Sequence, residues 1–156
     1  MKTTKNRNNN EVNVFCRVKG SLPTGTEKTA EYVLLCENKK NQRINIIFTG
    51  NREITGINTG YRMKNYPTDV IAFRFTKGEY GYEGGDIYIS TEKAKENARE
   101  YGAGYKEELT RLIIHGVLHT LGYDHEKGGK EERVMMKKQN SYLKKLMGGP
   151  AKKRGK

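Results

Sequence analysis

The chain has 156 residues, a length typical of one domain, and its 30 lysines and arginines against 18 aspartates and glutamates give a formal net charge of +12. This balance suits a polyanionic partner such as nucleic acid, or serves solubility, and charge alone does not choose between the two. The apolar runs are far shorter than the about 20 residues of a membrane-spanning helix, so we expect no membrane association.

The ends of the chain differ from the middle in composition. Residues 1–10 and 148–156 carry basic residues and no acidic ones. We predict a disordered basic arm over 1–10, a single domain over 11–147 and a disordered basic tail over 148–156. The polar start and the 2 cysteines argue against a secretory leader and a disulfide scaffold, so we expect a cytoplasmic protein.

Hydrophobic periodicity and turn residues predict an α+β fold. The sequence is expected to form a small mixed β-sheet packed against several helices in one domain, with the chemistry on the long helix of the second half. In chain order the predicted elements are strand Glu11–Val18, helix Thr26–Glu37, strand Arg43–Phe48, helix Asn51–Asn58, strands Thr68–Thr76 and Asp86–Ile89, and helices Thr91–Tyr101, Tyr105–Leu121 and Lys130–Met147.

The 3 histidines of the chain, His115, His119 and His125, all lie in the segment HGVLHTLGYDH. His115 and His119 are spaced i and i+4, which places both rings on one face of the predicted helix. Gly122 allows the chain to leave the helix, so that His125 can return to the same point. Three converging imidazoles fit one Zn²⁺ per chain with a fourth position left open, and nickel, cobalt or iron(II) would also suit such a site.

The spacing H-x-x-x-H-x-x-G-x-x-H is also that of the metzincin proteases. Those enzymes carry a glutamate general base after the first histidine, whereas this chain has Gly116. Asp124 or Glu126 could take the place of that base, but Asp124 is more simply interpreted as a group that orients an imidazole N–H.

Three segments together resemble the YbeY-type family of bacterial rRNA maturation factors. The segment HGVLHTLGYDH is similar to the HGxLHLxGYDH motif of that family. Ile57–Phe73 (INTGYRMKNYPTDVIAF) and Gly85–Ser90 (GDIYIS) resemble two further family segments in the same order and spacing. The chain departs from the family pattern at Asn65, Arg74 and Gln139, where Asp, Pro and Glu are common.

The resemblance implies a single-strand-specific, metal-dependent endoribonuclease that processes the 3′ end of 16S rRNA and takes part in ribosome quality control. It implies zinc ligation by His115, His119 and His125, and a functional arginine at Arg62, a suitable phosphate clamp. His115 and His119 are thus assigned to catalysis together with Arg62, and Lys64 and Arg74 are further candidates for RNA contact. The expected partners are rRNA or other single-stranded RNA, ribosomal particles and ribosomal proteins, and the expected oligomeric state is a monomer.

Two other functions stay open on the sequence. The first is a ribosome-assembly factor that binds RNA through a fold in which the metal is mainly structural. The second is a metal-dependent hydrolase of another substrate, including an atypical protease, which the shared histidine spacing allows and Gly116 disfavours.

Overall fold

A computed structural model describes residues 1–20, 23–62, 68–124 and 129–148, with the backbone alone at positions 61 and 62. The strands are β1 (Lys2–Lys5), β2 (Glu11–Cys16), β3 (Gln42–Thr49), β4 (Val70–Phe75) and β5 (Glu83–Ser90). The helices are α1 (Thr26–Cys36), α2 (Asn51–Arg62), α3 (Lys77–Tyr80), α4 (Thr91–Tyr101), α5 (Tyr105–Thr120) and α6 (Gly129–Leu146).

The five strands form one mixed sheet in the order β1-β2-β3-β5-β4. The inner pairs β2–β3 and β3–β5 are parallel, and the outer pairs β1–β2 and β4–β5 are antiparallel. The predicted α+β class with a small mixed sheet is therefore confirmed. Within the described residues, no helix has the length and apolar character needed to cross a membrane.

The hydrophobic core lies between one face of the sheet and the helices. Alternate residues of the inner strands point into it, as period-2 side-chain alternation requires, and are fully buried: Val12, Ile44, Ile46, Phe48, Ile87 and Ile89. Helix α5 is the central helix of this layer, since it contacts α1, α4 and α6 as well as strands β4 and β5.

The predicted disordered arm at residues 1–10 is wrong, because Lys2–Lys5 form strand β1. This strand pairs antiparallel with β2, where Thr3 lies opposite Asn13 and donates a 2.7 Å hydrogen bond to its side-chain Oδ1. Lys2 also donates to the largely buried Glu27 of α1, at 2.8 Å. A polar edge strand lacks the apolar alternation that marks a half-buried strand, so the sequence pattern gave no signal for β1. The predicted tail lies outside the described residues apart from Gly148.

Two glycines bring α5 unusually close to the sheet. A Cβ on Gly116 would lie 2.5 Å from Cγ2 of Ile87 on β5. A Cβ on Gly85 of β5 would lie 2.7 Å from Cγ2 of Thr120, at the other end of the same contact. Both distances are shorter than real Cβ contacts allow. A larger residue at Gly116 would push the helix away from the strand, and one at Gly85 would also meet the backbone oxygen of Phe73 on β4, at 2.1 Å.

Gly116→Ala tests this close approach. Alanine favours a helix interior by about 1 kcal/mol over glycine, but overpacking against a buried isoleucine costs about 1–3 kcal/mol. We expect a net loss of up to about 2 kcal/mol in the free energy of unfolding, measured by urea denaturation.

Gly56→Ala is the matched control, because Gly56 lies on α2 with no atom within 4 Å of its Cβ position. We expect this variant to gain up to about 1 kcal/mol from helix propensity alone. Equal effects of the two substitutions would contradict the proposed contact with Ile87.

Candidate metal centre and RNA-binding site

His115 and His119 lie one turn apart on α5, and both are half-buried. Gly116 faces the sheet next to His115, and successive helix residues are rotated by about 100°. The two histidines therefore lie on a helix face that is adjacent to the face packed on the sheet. Both residues lie within the continuous helix α5, so the predicted placement of His115 and His119 on one helix face is confirmed.

The end of α5 is a glycine turn that redirects the chain after His119. Gly122 has φ +108°, a conformation that L side chains rarely adopt. Its N–H donates to His119 O at 3.0 Å, and the N–H of Tyr123 donates to Leu118 O at 3.2 Å. These two bonds form a Schellman motif, which satisfies carbonyls at the helix end while the chain reverses.

Helix α6 supplies a partner for the first histidine. Oε1 of Gln139 lies 2.8 Å from Nδ1 of His115, and Gln139 is only 1% exposed. Because a carbonyl oxygen accepts and cannot donate, this contact requires a proton on Nδ1 of His115. A neutral imidazole in this tautomer carries its lone pair on Nε2, the nitrogen suited to bind a metal ion.

Arg74 lies beside the turn that follows the histidine helix. Its Nη1 atom would be 3.0 Å from a Cβ on Gly122, so the guanidinium packs against the glycine itself. The side chain at position 74 is exposed. Glycine at position 122 thus serves the backbone turn and also leaves room for a cationic group next to it.

A buried polar cluster fixes the first half of α5. Glu108 is fully buried and accepts two hydrogen bonds from Arg111, at 3.0 and 2.6 Å. Asn97 of α4 donates to Glu108 and to Asp69, both at 3.2 Å. Asp69 lies just before β4, so this cluster joins the histidine helix to the chain segment that follows Arg62.

A second cluster holds the turn after α5. Glu37, at the end of α1, accepts a 2.7 Å hydrogen bond from Tyr123, a 3.0 Å bond from Lys138 and a further bond from Tyr142. Its side chain is 5% exposed. The segment that leads to His125 is therefore attached to both α1 and α6 through a single carboxylate.

The pKa values in this second cluster follow from its contacts. Burial raises the pKa of Glu37, but the hydrogen bonds from Tyr123, Tyr142 and Lys138 outweigh burial and hold that pKa below the ordinary value of 4.5. Burial and the hydrogen bonds to the ionised Glu37 raise the pKa of both phenols. The carboxylate therefore stays ionised and the phenols stay protonated at neutral pH.

The structure describes only some of the predicted site residues. Arg62 is the last residue of α2, beyond the predicted helix end at Asn58, and its side chain is not described. Lys64 and His125 lie outside the described residues. Asp124 follows the glycine turn and is half-buried. Within the described ranges, no three His, Cys, Asp or Glu side chains form a metal-binding group, and the predicted set includes His125, which falls in a gap.

The family profile of endoribonuclease YbeY matches residues 7–147. The chain belongs to the YbeY endoribonuclease family. A YbeY endoribonuclease of Aquifex aeolicus is 40% identical over 147 residues, covering 94% of this chain and 97% of that protein. The YbeY endoribonuclease of Persephonella marina is 42% identical over 117 residues, covering 73% of this chain and 76% of that protein.

A solved structure shares this YbeY-family fold. The solution structure of TM1509 from Thermotoga maritima aligns with a TM-score of 0.63 and 32% identity, over 88% of this chain and 89% of that one. The resemblance found in the sequence is thus confirmed, and family membership supports endoribonuclease activity in rRNA maturation.

Glu37 and Gln139 were not identified as site residues from the sequence. Tyr123, which contacts Glu37, lies 86 residues away along the chain, and Gln139 lies 24 residues from His115. The only sequence signal was the departure from the family pattern at Gln139. Contacts at such separations depend on how α1, α5 and α6 pack.

Glu37→Gln tests the second cluster through pH. Because the folded pKa of Glu37 is lowered, its contribution to stability is complete above the ordinary value of 4.5 and is lost as the pH falls through the folded pKa. We expect the variant to lose about 2 kcal/mol at pH 7, the size of a charged hydrogen bond. The difference from wild type should shrink on acidification below pH 4.5.

Urea denaturation between pH 3 and pH 8 measures both effects. Glu100→Gln, which alters an exposed glutamate on α4, is the control and should stay within about 0.5 kcal/mol of wild type. A difference between Glu37→Gln and wild type that does not change with pH would contradict the role of the ionised carboxylate.

Proposed function

We propose that this chain is a zinc-dependent endoribonuclease that cleaves single-stranded RNA during rRNA maturation, including the 3′ end of 16S rRNA, and in ribosome quality control. It acts in the cytoplasm as a monomer on rRNA within ribosomal particles. The observation that carries the proposal is the pair His115 and His119 on the central helix of a YbeY-family fold, beside a turn that redirects the chain towards His125.

The residues present fit a zinc ion. Imidazole nitrogens are good zinc donors, and the contact of Gln139 with Nδ1 of His115 leaves the lone pair on Nε2. We assign His115, His119 and His125 as the three protein ligands, with Asp124 next to the third. Nickel or another divalent transition metal would suit the same donor set. When bound, such an ion supplies Lewis-acid charge next to a phosphate oxygen.

The basic residues of the site contribute binding and charge. We assign Arg62 as the clamp on the scissile phosphate, because a guanidinium offers two parallel N–H donors to phosphate oxygens. We assign Lys64 and Arg74 to neighbouring phosphates, and the exposed Arg74 guanidinium beside Gly122 supports this role. Positive charge so placed stabilises the extra negative charge that develops as the phosphodiester is attacked.

The packing of Gly116 favours this activity over proteolysis. In the metzincin pattern the residue after the first histidine carries the general base. Here a Cβ at that position would lie 2.5 Å from Cγ2 of Ile87 on the sheet, so there is no space for a glutamate side chain without displacing the helix. A nuclease with cationic clamps has no need for a carboxylate at this position.

Cleavage of a single-stranded RNA by wild type and by His119→Ala, purified in the same way, tests the function. We expect wild type to cut and the variant to lose at least about 100-fold in rate, because one ligand of the metal is removed. Contaminating ribonucleases would be common to both preparations. Equal cleavage by the two proteins would contradict the proposal.

The zinc content and the circular dichroism of both proteins, measured before and after chelation, test the alternative that the metal is structural. An enzyme is expected to keep its fold after chelation and to lose only activity, whereas unfolding on chelation favours a structural metal.

The RNA cleavage assay also distinguishes attack by the 2′-OH from attack by water. A single 2′-deoxy nucleotide 5′ to the cleaved bond stops the first route and leaves the second intact.

Arg74→Ala tests the RNA-contact surface separately from cleavage, in a His119→Ala background that prevents turnover. We expect weaker binding of single-stranded RNA and a log–log salt slope smaller by about 0.7, the value for one lost phosphate contact. Arg99→Ala removes the same charge from an exposed position on α4 and is the control. Equal effects of the two variants would show that Arg74 acts only through net charge.

A further inference from the structure

Gln139 is a buried polar residue on α6, a helix whose opposite, exposed face is rich in lysines. It lies among the few buried residues of α6, with Met135 and Leu143 one turn to either side. Burying an amide is unfavourable unless it is hydrogen-bonded, so such a position calls for a specific partner. That partner is Nδ1 of His115, at 2.8 Å.

The orientation of the amide determines the state of the histidine. With Oε1 facing the ring, Nδ1 carries the proton and Nε2 the lone pair. With the amide rotated by 180°, its NH₂ would donate to Nδ1 and the proton would move to Nε2. Only the first arrangement lets His115 bind a metal ion through Nε2.

We propose that Gln139 is a positioning residue of the metal centre, which holds His115 in the Nδ1–H tautomer and fixes its ring for ligation through Nε2. This inference rests on the proposed zinc site. Gln139 touches neither the metal nor the RNA in this role. It acts through His115, as a carbonyl or carboxylate commonly does behind a zinc-bound histidine.

Only one end of the Gln139 amide is hydrogen-bonded within the described part of the chain. Within the described part of the chain, Nε2 of Gln139 is buried without a hydrogen-bond partner. Glutamate has the same shape, keeps the oxygen that accepts from His115 and removes this unsatisfied donor. A carboxylate also makes the imidazole a stronger ligand. The structure therefore favours tighter metal binding by Gln139→Glu, in contrast to Gln139→Leu, which has no acceptor.

The tautomer can be observed in the wild-type protein without any substitution. Long-range ¹H–¹⁵N spectra of the zinc-free full chain at pH 8 distinguish the two neutral tautomers of each histidine, and His115→Gln assigns the signals. We expect His115 to be protonated on Nδ1. A predominant Nε2–H tautomer would overturn the proposal.

Zinc affinity, measured by competition with a chromogenic chelator, tests the consequence for the metal. We expect Gln139→Leu to bind zinc about 10- to 100-fold more weakly than wild type, and Gln139→Glu to bind it at least as tightly. Leu143→Ala is the control, because it creates a packing defect on the same buried face of α6 and leaves both partners of the His115–Gln139 hydrogen bond unchanged. Its affinity should stay within about threefold of wild type.

Each result bears on the proposal. Wild-type affinity in Gln139→Leu, an equal loss in Leu143→Ala, or failure of Gln139→Glu to retain affinity would overturn the role of the amide oxygen. If Gln139→Leu does not fold, the tautomer of His115 in wild type and the zinc affinity of Gln139→Glu still test the proposal. A wild-type chain that binds no zinc would overturn the proposed metal centre as well, whereas zinc binding with no effect of Gln139 would overturn this inference alone.

Discussion

The close contact between α5 and the sheet determines where the chemistry can lie. Gly116 and Gly85 remove the two side chains that would separate the helix from β5. Once Gly116 faces Ile87, the helical rotation of about 100° per residue turns His115 away from the sheet, and His119 follows one turn later. The orientation of the two histidines is thus a consequence of packing by their neighbours on the helix, and the sheet supports it.

Two buried carboxylates secure this helix at either end of the histidine pair. Glu108 joins α5 to Arg111, Asn97 and the residue before β4, while Glu37 joins the turn after α5 to α1 and α6. Both carboxylates are buried and paired, and removing one partner of such a pair is far more costly than losing a surface contact. The first cluster reaches Asp69, just before β4, and the second reaches Tyr123, just after α5, so each joins the histidine helix to a neighbouring chain segment.

Local sequence rules predicted the parts of the site that are local. The spacing of His115 and His119 and the glycine stop at Gly122 depend on neighbours within one helix, so the sequence alone placed them correctly. The bond between His115 and Gln139, and the three bonds of Glu37, depend on which helices pack together, and no periodicity reports that. Strand β1 was not predicted for a different reason: it is polar. Backbone bonds and the bond of Thr3 to Asn13 join it to β2, and the bond of Lys2 to Glu27 joins it to α1.

The comparison with the metzincin spacing shows how one arrangement of histidines can serve two chemistries. Hydrolysis of a peptide benefits from a carboxylate base beside the metal, which the metzincin helix supplies from the position after its first histidine. In this chain that position packs on Ile87, and the guanidinium of Arg74 lies against Gly122 at the turn. A phosphodiester is already anionic and becomes more so as it is attacked, so a nearby cation stabilises the transition state. The packing of Gly116 on Ile87, together with the guanidinium of Arg74 at the end of α5, therefore distinguishes this chain from the metzincin pattern more clearly than the histidine spacing, which the two share.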